Sequence, residues 1–92
     1  MRVVWNQEAS AQLETIFEAI SRGSEIYARK TVDRLVSRVD DLGDFPEMGR
    51  IIFRYNDPSI RELIVSPYIV KYLIGREYIE ILTVVHAAQN RN

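Results

Sequence analysis

A chain of 92 residues, 47% of them hydrophobic and 27% charged, has the balance of an ordinary folded domain and is too short for two separate cores. The absence of cysteine excludes a disulfide framework and a thiolate metal site, and no other spacing suggests a metal or cofactor. A net charge of −1 provides no overall positive field of the kind that draws in nucleic acid, so only local basic patches are left for that role.

The opening MRVVWNQEAS carries one arginine and a short apolar run, far from a secretory h-region, and no segment approaches the roughly 18 apolar residues of a membrane span. A cytoplasmic protein with no membrane partner is expected, organised as one domain over residues 1–92. RVVW reads as a first strand, and Asn6 stands as the N-cap of a helix with Glu8 in its first turn. Ala9, Leu13, Ile16, Phe17 and Ile20 share one helical face. Gly23 is expected to end that helix in the left-handed conformation, and Ser24 to cap a second helix whose apolar positions are Ala28, Val32, Leu35, Val39 and Leu42.

Gly43, Pro46 and Gly49 in GDFPEMGR break the periodicity, and NDPS gives a second turn signal. Residues 61–65, 68–74 and 78–86 then read as strands, with room for one more at IIFRY. The economical fold is α+β: an N-terminal strand, a helical hairpin, then three to four antiparallel strands in a twisted sheet covered on one face by the helices.

An Arg76-Glu77 turn pairs Gly75 with Tyr78, Leu73 with Glu80, Lys71 with Leu82 and Ile69 with Val84. One face would then carry Tyr68, Val70, Tyr72, Ile74, Ile79, Ile81 and Val85, the natural seat for the helices. The other would carry Ile69, Lys71, Leu73, Glu80, Leu82, Val84 and His86, too polar for a second core and too apolar for an idle surface, which marks a binding face.

The stretches FPEMGR, NDPSIREL, SPYIVKY and IEILTVVHAAQ, in that order, resemble the RelE/ParE superfamily, the toxin halves of bacterial type II toxin–antitoxin pairs. The resemblance implies a growth inhibitor held inactive by a cognate antitoxin, with operator DNA contacted only through that antitoxin, and a homodimer or a heterotetramer with antitoxin as assemblies. RelE-like members cut messenger RNA on the ribosome; ParE-like members inhibit DNA gyrase and are not nucleases.

RNA cleavage needs a base, an acid and cationic stabilisation of the phosphorane. The candidates are His86 for proton transfer, Arg61 and Lys71 as phosphate clamps, and Glu47 or Glu80 as a second proton-transfer group. For target or antitoxin binding the candidates are Arg50, Arg54, Ile69, Leu73, Glu80 and Gln89. Ile69 and Leu73 stand where the superfamily often has arginine, and His86 with Gln89 forms a closing pattern shared by both branches. The loss of arginine at Ile69 and Leu73, with a sequence pI near 5.8, favours gyrase inhibition over catalysis, with a ribonuclease and a non-toxic antitoxin-binding module as alternatives.

Overall fold

The computed structural model describes residues 1–90. In chain order its elements are β1 (Arg2–Trp5), α1 (Gln7–Ser21), α2 (Glu25–Asp40), β2 (Arg50–Ile51), β3 (Ile60–Val65), β4 (Tyr68–Ile74) and β5 (Tyr78–His86). Short 3-10 turns lie at Asp41–Gly43, Pro46–Met48, Phe53–Tyr55 and Ala87–Gln89. The five strands form one sheet in the order β1-β5-β4-β3-β2, with β1 parallel to β5 and the other neighbours antiparallel. The expected α+β architecture is therefore present, and the IIFRY stretch contributes only the end of β2 before it winds into a 3-10 turn.

Both helix starts follow from their caps. The Asn6 side chain accepts a hydrogen bond from the Ala9 N–H at 2.8 Å, and the Ser24 hydroxyl accepts one from the Tyr27 N–H at 3.1 Å. The end of α1 differs from expectation, because Gly23 does not take a positive φ. The N–H groups of Gly23 and Ser24 both donate to the Ile20 carbonyl, and the reversal is made by Ser24 itself in an extended conformation.

The core lies between the helices and one face of the sheet. Ala9, Leu35, Val39 and Leu42 meet Leu63, Val65, Val70, Tyr72, Ile79, Ile81 and Val84, with Val3, Trp5, Leu13 and Ile16 packed around them. Burying each large aliphatic side chain there contributes about 1.5–3 kcal/mol. On α2, Thr31 is more buried than Val32, and its hydroxyl is satisfied by donating to the Tyr27 carbonyl at 2.9 Å.

The β4–β5 hairpin begins in the expected register: the Gly75 N–H donates to the Tyr78 carbonyl at 3.0 Å, and Leu73 stands opposite Glu80. A bulge then intervenes. Tyr72 faces Ile81, but Lys71 faces Thr83, so Leu82 and Thr83 both stand between the core residues Ile81 and Val84. Beyond this extra residue the sides of β5 exchange. Lys71 pairs with Thr83 rather than Leu82, and Ile69 with Val85 rather than Val84. Val84 and His86 therefore lie on the helix-covered face and Val85 on the open one, correcting the expected placement of all three.

Strand β1 covers only Tyr78–Ile81 of β5. Past its end, the Asn6 N–H donates to the Ile81 carbonyl at 3.1 Å, and the Gln12 side-chain oxygen accepts from the Val84 N–H at 2.7 Å.

Candidate functional site

The face of the sheet turned away from the helices is built in three cross-strand rows, because residues directly opposite one another share a face. Ile64, Ile69 and Val85 form the first row; Arg50, Glu62, Lys71 and Thr83 the second; Ile60, Leu73 and Glu80 the third. Four residues from the sequence-derived binding set, Arg50, Ile69, Leu73 and Glu80, thus meet on one surface, together with Lys71 from the catalytic set. Ile64 is 44% exposed at one end of it. Alternation along β3 would have found Ile64 and Glu62; Thr83 and Val85 were hidden by the bulge.

The second row holds the strongest charge pair of the face. Arg50 Nε donates to Glu62 Oε1 at 2.7 Å, with side-chain exposures of 67% and 9%. The other carboxylate oxygen, Oε2, is buried without a hydrogen-bond partner among the described residues. Glu80 is tied more loosely, accepting from the Asn6 side-chain amide at 3.4 Å.

Arg61 points the other way, toward the turn at Pro46–Met48. Its guanidinium donates to the carbonyls of Pro58 at 3.1 Å, Glu47 at 3.3 Å and Gly49 at 3.0 Å, and it contacts the Glu47 carboxylate at 3.5 Å. Its side chain is only 13% exposed. Beside it the fully buried Tyr72 hydroxyl donates to the Pro46 carbonyl at 2.7 Å and accepts from the Gly49 N–H at 2.8 Å. The same turn is thus held from below by two side chains, a clamp that no local pattern of residues announces. Gly49 makes the close approach possible, since a Cβ there would lie 2.5 Å from the Tyr72 hydroxyl oxygen. Burial raises the Tyr72 phenol above its ordinary 10.0, against the lowering effect of the Gly49 hydrogen bond and the Arg61 charge, while Glu47 adds to the rise.

His86 lies at the rim of the helix-covered side. Its ring meets Tyr68 edge-on at 5.6 Å, and its Nδ1 accepts from the Ala88 N–H at 3.0 Å, capping the last 3-10 turn. Gln89 lies with it in a groove of about 340 Å³ between α1 and the end of the sheet, lined also by Ile16, Ile20 and Tyr68. Arg54 sits on the Phe53–Tyr55 turn, its guanidinium 4.6 Å from the centre of the Tyr55 ring. Among the nuclease candidates, Lys71 is therefore on the open face, Arg61 under the turn and His86 beside the α1 groove. The geometry does not bring the three together.

Comparison with known proteins agrees with this architecture. The sequence is 33% identical over 89 residues to Toxin RelE2 of Caulobacter vibrioides, covering 96% of this chain and 97% of that one. It is 37% identical over 90 residues to Y4kP of Sinorhizobium fredii, covering 96% and 90%. The fold matches a structure described as the chromosomal ParDE TA system from P. aeruginosa, with a TM-score of 0.79, 23% identity, and 94% and 95% of the two chains covered. Residues 3–91 match the profile of the ParE toxin of the type II toxin–antitoxin system parDE. The chain belongs to that toxin family, within the RelE/ParE superfamily, and a cognate antitoxin is its partner.

Proposed function

We propose that this toxin arrests growth by binding DNA gyrase through the open face of its sheet, without cutting RNA. The observation that carries this reading is the divergence of the three groups a ribonuclease would need. Cleavage requires proton-transfer and phosphate-binding groups around one phosphate, yet Arg61 spends its donors on three backbone carbonyls and lies across the sheet from Lys71. His86 has Nδ1 engaged by its own chain. The open face instead offers the mixture of apolar and charged groups that suits a protein surface, with Arg50, Lys71, Leu73 and Glu80 as contacts around the nearly buried Ile69. The ParE match of the profile supports the same branch.

The name of the RelE2 relative keeps a second reading in view, a ribosome-dependent messenger ribonuclease using His86, Arg61 and Lys71. The two readings separate on expression of the toxin without its antitoxin. Gyrase inhibition predicts filamentation, DNA damage and loss of supercoiling activity with messages intact. Early loss of translation with cut messages would overturn it. His86→Ala sharpens the test, because removal of a proton-transfer group lowers a rate by about 10²-fold or more, whereas a capping histidine can be lost with toxicity retained in a folded protein.

A further inference from the structure

We propose that the notch between the end of α2, the Pro46–Met48 turn and β3 is a receptor for the carboxylate of an Asp or Glu side chain on a protein partner, read by Arg50 and positioned by Glu62. The notch has a volume of about 230 Å³ and is lined by Arg38, Met48, Arg50, Glu62 and Ile64.

Glu62 is nine-tenths buried, one of its oxygens has no partner, and Arg50 holds the other at 2.7 Å. If Arg50 swung away, a buried charge would lose its only ion pair among the described residues, which is strongly unfavourable. Lys71, opposite Glu62 on β4, is not within ion-pair distance of it. Arg50 is therefore held through Nε while its two terminal nitrogens make no bond to any described residue and the side chain stays 67% exposed. A guanidinium fixed by its inner nitrogen presents its outer pair as a planar fork, the geometry that takes a carboxylate in two parallel hydrogen bonds. Preorganisation of this kind lowers the entropy lost on binding.

The surroundings select the carrier of that carboxylate. Arg38 adds a second cation held only by long contacts, 3.4 Å to Asp41 and 3.6 Å to the Met48 sulfur, so an incoming acid competes with Asp41 for it. With Asp41 on Arg38 and Glu62 on Arg50 the notch is near neutral, so what an incoming carboxylate meets is the free outer fork of Arg50 rather than a net positive field. Met48 and the exposed Ile64 supply an apolar shoulder for a neighbouring hydrophobic side chain. The adjoining stretch of chain carries Asp40, Asp41, Asp44 and Glu47, whose charges oppose a chain of phosphates more strongly than a single acid.

The test titrates the full chain with a blocked Leu-Glu-Leu peptide, its Leu-Gln-Leu counterpart and inorganic phosphate, following the Arg50 Nε–H resonance by NMR. Expected are saturable binding of the Glu peptide at Arg50, none of the Gln peptide, and weaker binding of phosphate. Glu62→Gln should weaken the Glu peptide about tenfold, the loss of one charge-assisted contact. Should that variant fail to fold, Arg50→Lys keeps the charge on the exposed position and removes the fork, and should weaken binding to a similar degree. Equal shifts at Arg50 and the exposed Arg76, equal binding of the two peptides, phosphate binding as tight as the Glu peptide, or full affinity in Arg50→Lys would each overturn the proposal.

Discussion

Arg50 and Arg61 belong to the same two strands and face each other's neighbours across a register of two pairs, yet they serve opposite sides of the molecule. Arg61 is 13% exposed and its donors go to backbone carbonyls of the chain itself; Arg50 is 67% exposed and its outer nitrogens face solvent. On the covered side, the polar groups of Arg61 and Tyr72 are consumed in holding the turn at Pro46–Met48. On the open side, charges and apolar groups are left where a partner reaches them. The lesson is that a cation's role is set by strand parity and by what its donors already hold, not by its presence in a motif.

If that contrast is right, the covered side should be intolerant and the open side forgiving. The largest effect is expected for Gly49→Ala, whose added Cβ would lie 2.5 Å from the Tyr72 hydroxyl oxygen, 2.7 Å from its ring and 2.8 Å from the Glu62 carbonyl. Backbone and a buried ring cannot both yield cheaply, and a loss of about 3 kcal/mol is expected in urea unfolding. Tyr72→Phe keeps the ring but strands the Gly49 N–H and the Pro46 carbonyl, and should cost about 2 kcal/mol in the same assay.

The Tyr72 phenol supplies a pH test. Because its folded value is raised, the folded chain keeps a proton that the unfolded chain has lost once pH passes the ordinary 10.0. Stability is thus complete below that pH and falls as pH rises above it. Unfolding midpoints should drift down over that alkaline range in the wild type and drift less in Tyr72→Phe. The smallest effect on stability is expected on the open side. Ile64→Ser and Lys71→Ala should each stay within about 0.5 kcal/mol of wild type while weakening growth arrest. A large stability loss in either would erase the distinction between the two sides.

Much of the fold was legible because its signals are local. Asn6 and Ser24 cap through their own side chains within three residues, and the strands at 68–74 and 78–86 announce themselves by alternation around a turn. The candidate site was legible as far as the hairpin's first pairs, which is why Leu73 and Glu80 were correctly placed together. It failed at Leu82, where the bulge depends on how β5 fits β4 and leaves no glycine or proline to mark it. One residue of slip carried His86 to the wrong side. The employment of Arg61 was hidden for a related reason: it depends on a turn that the buried Tyr72 holds from a strand distant in sequence.

The single bond from Gln12 to the Val84 N–H has a consequence for solubility. Where β1 stops, β5 would otherwise present an unpaired donor on its edge, the kind of group that pairs with further chains edge to edge. One glutamine on α1 occupies that donor, so the helix also closes part of the strand edge to pairing with another chain.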